Sequence, residues 1–447
     1  HNHHMQPTQV LALGFLAVIL VGTALLCLPI SSADGKPLPL LSALFTATTS
    51  TCVTGLTVVE TGLAFSHFGQ GVILLLTQIG GLGFMTAASL LFMLMGKRIT
   101  LRERLTIAEG LNESSLRGLV RLVKRVVLLT LSIEAAGAVV LSFRMIPLYG
   151  VGQGIWMSVF HAVSAFCNAG LDLFGYGNSV VNFQSDPLIL ITFMVLIILG
   201  GLGFTVIMEV IKKRHWGKFS LHSKVVLFMT GALLLSGTAL FFATEFNNPE
   251  TLGPMSLGDK ALNAAFQSTT LRTAGFASLP QQHLSNAGLL LCVLLMFIGA
   301  SPASTGGGIK TTTLAALLLL VHSVVRGRDR ITVFRKEISQ DTGHRAVALT
   351  FIATSFVLAV TCALSILERR HGVSLTNLVF ETVSAVSTTG LSAAGTGVLR
   401  RSSQILLMLL MYLGRVGPLT LATALIRREK DGARNRVRFP EEKIMIG

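Results

Sequence analysis

Phe45-Thr-Ala-Thr-Thr-Ser-Thr-Cys-Val-Thr54-Gly55-Leu56 is a short amphipathic run of small and hydroxyl residues ending on a glycine, and the chain writes it four times. The second copy is Phe160-His-Ala-Val-Ser-Ala-Phe-Cys-Asn168-Ala169-Gly170-Leu171 and the third Ala265-Phe-Gln-Ser-Thr-Thr-Leu-Arg-Thr273-Ala274-Gly275-Phe276. The fourth is Phe380-Glu-Thr-Val-Ser-Ala-Val-Ser-Thr388-Thr389-Gly390-Leu391. In three copies Phe precedes Gly by ten positions; in the third it has slipped by one, to Phe266. The glycines are 115, 105 and 115 residues apart, so a unit of roughly a quarter of the chain recurs.

The solvent around those units follows from composition. Of 447 residues, 51% are hydrophobic and 13% charged, and the mean hydropathy is +0.69. That leaves too little polar surface to cover a soluble particle of this size. Each unit reads as a long apolar segment, a shorter half-polar segment leading to the glycine, and a second long apolar segment. About 20 apolar residues cross a bilayer, whereas 10–14 read as re-entrant or interfacial. The expected fold is therefore an all-α integral membrane protein: four repeats of helix, re-entrant pore loop and helix around one central pore, with eight transmembrane helices.

The repeats are placed at 10–97, 118–213, 223–326 and 343–427, followed by a basic cytoplasmic tail, 428–447. Within them, outer helices are expected over 10–29, 119–147, 223–246 and 345–367, and pore helices over 40–50, 154–166, 257–270 and 375–386. Inner helices are expected over 71–95, 187–211, 287–322 and 403–426, the third too long for one simple span. His1-Asn2-His3-His4 reads as an expression-tag remnant, and no Lys or Arg flank suggests a cleaved signal. The connections between repeats and the tail hold eight, five, six and seven Lys and Arg, 26 of the chain's 36. By the positive-inside bias they face the cytoplasm, with both termini, and the glycine loops enter from outside. The basic excess is a topology signal with anionic lipid headgroups as neighbours, and a nucleic-acid partner is excluded because no basic soluble domain is present.

Non-helical backbone at membrane depth leaves carbonyls without intrahelical partners, tolerated only where protein or a water-filled path surrounds it. Four such strands around an axis make rings of oxygens able to replace the hydration shell of an alkali cation. Glycine at the turn permits backbone angles that let successive carbonyls point inward, and a short helix aiming its negative end at the axis favours a cation. The candidate filter residues are Val53, Thr54 and Gly55; Asn168, Ala169 and Gly170; Thr273, Ala274 and Gly275; and Thr388, Thr389 and Gly390.

Four hairpins with one lone glycine per filter strand resemble the superfamily of potassium transporters that includes the Trk, Ktr and plant HKT proteins, over essentially the whole chain from Leu11 to Arg427. The two-helix start resembles the Ktr membrane subunit (KtrB type) more than the Trk type, which has an extra helix pair in front. The resemblance implies a potassium-selective subunit of a bacterial-type cell membrane, Gly55 standing where sodium-passing HKT members have Ser. It further implies a homodimer with one pore per subunit on a cytosolic nucleotide-binding ring of the KtrA type. ATP or ADP would bind that partner, with no cofactor in this subunit and potassium as the only metal, held in the filter as the transported ion.

Two features depart from the fourfold pattern. Ile79-Gly-Gly-Leu-Gly-Phe84 and Leu199-Gly-Gly-Leu-Gly-Phe204 match in the first two inner helices and read as close helix packing. The third repeat instead carries Gly299, Ala300, Ser301, Pro302, Ser304, Thr305, Gly306, Gly307, Gly308 and Lys310, where Pro and Gly break the helix at mid-membrane. A kinked packing helix is one reading; the resemblance implies an intramembrane gating loop. The run is not a phosphate-binding loop, since Ile309 stands where that motif needs Gly. Arg415, in Leu413-Gly-Arg-Val-Gly-Pro418, lies 12 residues before Arg427, hence about 18 Å deep. A charge so placed faces an interior or a cavity and is expected to bond several loop carbonyls and hydroxyls at once. Arg272 either braces the third filter through carbonyls behind it or reaches the outer surface.

The five cysteines show no pairing that implies a disulfide or a metal site. His161, His283 and His371 are expected on the outer side, Glu134 and Glu209 near helix ends, and Glu381 and Asp172 near the pore mouth, attracting cations or merely solvated. No clustered acid, base or nucleophile appears, so the chain is not expected to be an enzyme. The expected function is channel-like potassium conduction, with a sodium-coupled potassium symporter as the alternative. The apolar end Lys443-Ile-Met-Ile-Gly447 is expected to dock at the dimer interface.

Overall fold

The computed structural model describes residues 7–83, 86–87, 104–105, 118–175, 177, 179–328 and 330–417. It is helical. In the first quarter α1 (Pro7–Leu26) and α2 (Leu40–Thr51) lead to α3 (His67–Leu82); the second holds α4 (Leu119–Tyr149), α5 (Val151–Phe166), α6 (Pro187–Leu202) and α7 (Phe204–Lys213). The third holds α8 (Leu221–Glu245), α9 (Leu257–Thr270), α10 (Asn286–Phe297) and α11 (Thr311–Val325). A hairpin of β1 (Ile331–Val333) and β2 (Lys336–Ile338), paired Ile331 to Ile338, precedes α12 (Gln340–Leu367), α13 (Leu375–Val386) and α14 (Arg401–Val416).

Serine starts many of these helices. Ser66, Ser220, Ser256, Ser285, Ser339 and Ser374 each accept a hydrogen bond from the backbone N–H three residues on, satisfying one of the donors a helix start leaves free. Asp186 does the same for α6, with Pro187 in the first turn. The short helices α2, α5, α9 and α13 begin and end within a residue or a few of the expected bounds.

Among the described residues, α1, α4, α8 and α12 are long and apolar enough to cross a membrane, and α6 with α7 passes as one span bent by 99°. Their outward faces are apolar, with Leu235 74% and Phe351 73% exposed, as lipid contact requires. The chain is an integral membrane protein.

The inner helices differ from the expectation of unbroken spans over 71–95 and 187–211. α3 ends at Gly83 (φ +85°), α6 at Gly203 (φ +95°) and α14 at Gly417 (φ +95°), all in a backbone region side chains disfavour. The last glycine of Gly-Gly-Leu-Gly is therefore a helix stop. Its first glycine does pack: a Cβ on Gly80, Gly200 or Gly414 would overlap the carbonyl oxygen of Thr51, Phe166 or Val386, at the end of the preceding short helix. The third inner helix is interrupted over 298–310, between α10 and α11. Residues 84–85 and 418–447, with most of 88–117, lie outside the described residues, as does the expected docking of the Lys443–Gly447 end.

Candidate functional site

α2, α5, α9 and α13 end at one place in the protein interior, each bringing the negative end of its dipole there. The chain after each helix turns back on it: Thr54 N donates to Thr49 O at 2.9 Å, Ala169 N to Ser164 O at 2.8 Å, and Thr389 N to Ser384 O at 2.8 Å. In the third copy Ala274 N reaches Thr270 O at 2.9 Å, a span of four residues instead of five. That tightened turn is why Phe266 stands one position nearer its glycine. Gly55 N donates to Thr49 Oγ1 at 2.9 Å and Gly390 N to Ser384 Oγ at 3.0 Å.

Two residues before each glycine the backbone is left-handed, at Val53 (φ +49°), Asn168 (φ +57°), Thr273 (φ +65°) and Thr388 (φ +53°), and it is positive again at the glycines, +103°, +66°, +84° and +91°. The intervening Thr54, Ala169, Ala274 and Thr389 are not. Alternating handedness turns successive N–H groups to one side of the strand, where the helix end receives them, and the carbonyls to the other. Among the described residues none of these twelve carbonyl oxygens accepts a hydrogen bond. Thr54 Oγ1, Thr388 Oγ1 and Asn168 Oδ1 are also buried without partners.

The four segments face one another in a closed cycle. A Cβ on Gly55 would lie 2.6 Å from the Ala169 carbonyl oxygen, one on Gly170 2.6 Å from that of Ala274, and one on Gly275 2.5 Å from that of Thr389. One on Gly390 would overlap the carbonyl oxygen of Thr54, returning to the first segment.

The interruption at 298–310 sits against this cluster. A Cβ on Gly306 would strike Thr273 Oγ1, and one on Gly307 Thr388 Oγ1. The loop folds back on itself, Gly299 N donating to Ile309 O at 2.7 Å and Ala300 N to Gly307 O at 3.2 Å. It is tied to the second quarter by Ser301 N to Gly201 O at 3.0 Å, Thr305 N to Gly200 O at 3.1 Å, and Phe204 N to Ala303 O at 3.0 Å. Lys310 Nζ donates to Gly306 O at 2.8 Å.

Arg415 reaches the loop and bridges it to another element. One guanidinium nitrogen donates to Thr305 O, the other to Gly80 O and, at 3.3 Å, to Gly81 O. Of the several loop contacts expected, one forms, because the loop hydroxyls are engaged elsewhere. Thr305 Oγ1 bonds Phe166 O at 3.0 Å, Ser304 Oγ bonds Ser301 O at 2.6 Å, and Ser301 Oγ pairs with Thr311 Oγ1 at 2.9 Å.

Other expectations are corrected. His161 is buried and fully engaged: Nδ1 donates to Met157 O at 2.7 Å, Nε2 accepts from Leu173 N at 3.1 Å, and the ring stacks on Phe174 at 4.2 Å. Glu381 is neither solvated nor free, accepting from Ser392 Oγ, from Ala394 N at 3.1 Å and from Thr396 Oγ1 at 3.0 Å. These two side chains brace the loops after the second and fourth glycines. Glu134 lies in mid-helix, buried, 3.6 Å from Cys167 Sγ. Arg272 is 7% exposed with Nη1 unpartnered, so it neither reaches the surface nor bonds carbonyls through that nitrogen; its own carbonyl accepts from Asn168 Nδ2 at 3.3 Å. No cluster of His, Cys, Asp or Glu suited to a metal occurs among the described residues.

Apolar helices that converge on bare backbone carbonyls in the protein interior fit a membrane transport protein. The family model of the TrkH cation transport proteins matches residues 2–434, and the chain belongs to that family, one of transporters and not of enzymes. It is 41% identical to Ktr system potassium uptake protein B of Bacillus subtilis (strain 168) over 443 residues, 99% of this chain and 97% of that one. It is 39% identical to potassium/sodium uptake protein NtpJ of Enterococcus hirae, covering 99% and 98%. The potassium transporter TrkH from Vibrio parahaemolyticus shares the fold, with a TM-score of 0.70 at 19% identity over 95% of this chain and 86% of that one.

Proposed function

We propose that the protein is the potassium-selective, ion-translocating membrane subunit of a Ktr-type uptake system, conducting in channel-like fashion through one four-segment filter. The observation that carries this is the cyclic closure of Gly55, Gly170, Gly275 and Gly390, with unpartnered carbonyls on each segment. A dehydrated alkali cation needs a cage of oxygens that costs little to reorganise, and backbone held from behind by helix ends provides one. Potassium as the cargo rests on the names of the relatives. In this reading the four repeats give eight crossings, with both termini cytoplasmic.

The loop 298–310 is the gate and Arg415 its latch, holding Thr305 to Gly80 and Gly81. A fixed positive charge beneath the filter adds an electrostatic barrier to a cation. A homodimer carrying a cytosolic ring of the KtrA type, with nucleotide on the ring, would release it. The name of NtpJ favours a second reading, sodium-coupled uptake, which calls for a side-chain sodium site. The test is potassium uptake by the reconstituted chain with and without sodium and the ring. Uptake that needs no sodium gradient supports conduction; strict stoichiometric coupling to sodium would replace it with symport.

A further inference from the structure

The cavity below the loop carries more positive charge than a cation path should. Its volume is about 680 Å³, and Lys310, Arg345 and Arg415 line it, with no Asp or Glu in the lining among the described residues. Arg345 is paired with Asp341 at 3.0 Å. Among the described residues, Lys310 and Arg415 meet only neutral carbonyls, those of Gly306, Thr305, Gly80 and Gly81. The amino end of α11, a helix of 15 residues with no side-chain cap, opens into the same space, where Thr312 and Thr313 line it. Thr311 N donates to Ala300 O at 3.3 Å and Thr313 N to Lys310 O at 2.9 Å, which leaves the Thr312 N–H and the positive dipole end to attract an anion. Charges withdrawn from water call for an opposite charge nearby, and neutral carbonyls do not supply it.

The remaining walls are apolar. Leu11 and Phe15 come from α1, and Leu349, Ala353 and Phe356 from α12. Both helices are long and apolar enough to cross the membrane, and Phe356 is 41% exposed on the flank of α12, so the cavity opens between two lipid-facing helices. Cations at one end and hydrocarbon walls open to lipid at the other suit one occupant, an anionic group carried on an acyl chain.

Building on the gate reading above, we propose that an anionic phospholipid places its phosphate group among Lys310, Arg415 and the amino end of α11. By cancelling that charge it lowers the barrier to the permeating cation. The membrane's own anionic lipid is then an activator of the gate.

The full chain is tested in vesicles of phosphatidylcholine with and without phosphatidylglycerol, reading rubidium flux. Binding is read separately, as thermal protection of the detergent-solubilised chain by short-chain phosphatidylglycerol or by inorganic phosphate. Phosphatidylglycerol is expected to protect the chain and raise flux. Lys310→Gln should weaken that protection about fivefold and bring the flux ratio between the two vesicle types toward one, whereas Lys310→Arg restores both. Arg326→Gln, at an exposed site outside the cavity, should change neither. Equal effects of Lys310→Gln and Arg326→Gln would mean general surface attraction and overturn the site. Protection by inorganic phosphate but not by the lipid would overturn the lipid as its occupant. If Lys310→Gln does not fold, Thr312→Asp, which sets a carboxylate in the cavity, must weaken protection likewise; unchanged protection overturns the proposal. Lysine-dependent protection without rubidium flux under any condition would sink the conduction reading and leave the lipid site standing.

Discussion

A methyl group on Gly55 has nowhere to go: it would meet the Ala169 carbonyl oxygen at 2.6 Å, on a backbone at φ +103° that side chains resist. Gly55→Ser therefore displaces a carbonyl of the neighbouring segment and offers a hydroxyl to a smaller ion. Strain of this kind costs ~1–3 kcal/mol, and the account predicts a fall of about tenfold in flux preference for potassium over sodium, the equivalent of ~1.4 kcal/mol. Competitive uptake of the two ions in folded protein measures it; an unchanged ratio would remove Gly55 from the filter. These glycines were legible because a lone Gly recurring four times at one spacing has few explanations. His161 and Glu381 were not. Each supports a loop through contacts set only by the fold, Leu173 N for one and Ala394 N for the other, and neither pattern shows in the residues beside it.

Among elements, the Arg415 bridge between α14 and the loop, if it latches the gate as proposed, is the part whose loss should raise activity. Arg415→Gln removes donors to Thr305, Gly80 and Gly81 together with a fixed charge, and both losses free the path. Basal potassium flux should rise several-fold and depend less on a cytosolic activator. Deleting part of the run from Gly306 to Gly308 should act in the same direction, because the lack of side chains there lets the loop lie close against Thr273 and Thr388. Flux and activator dependence at the wild-type level in membrane-inserted mutants would mean that Arg415 only braces the fold. Gly203→Ala tests the break itself: its Cβ would lie 2.6 Å from Pro302 O at φ +95°, and should cost ~1–3 kcal/mol in thermal unfolding while loosening the loop. The short helices and the loop in the third quarter could be read from length and from Pro and Gly content. The breaks at Gly83 and Gly203 could not, because a glycine that packs a helix and one that ends it look alike in sequence; only the left-handed backbone separates them.

At the scale of the whole molecule, contacts just past the end of α12 join it to the start of α14. Glu368, ending α12, accepts from Ser403 Oγ at 2.5 Å, Arg400 N at 2.8 Å and His371 Nδ1 at 2.8 Å. Burial pushes its pKa up, but the hydrogen bonds from Ser403, Arg400 and His371 outweigh that and hold it below the usual carboxylate value. With the folded pKa depressed, its stabilisation is present above the unfolded value and lost as pH falls through the folded one. Thermal stability in detergent should drop as pH goes below the ordinary carboxylate range, and Glu368→Gln should flatten that acid limb while costing ~1–3 kcal/mol near neutrality. An identical acid limb in the variant would place the acid-sensitive group elsewhere. The central claim, one path for potassium through four glycine-ended segments, is tested most directly by anomalous scattering from rubidium soaked into crystals of the protein. The account predicts density on the axis enclosed by the carbonyls of Thr54, Ala169, Ala274 and Thr389, lost when Gly55 is replaced by Ser. Rubidium bound reproducibly elsewhere in the membrane interior, with that axis empty and transport intact, would contradict it.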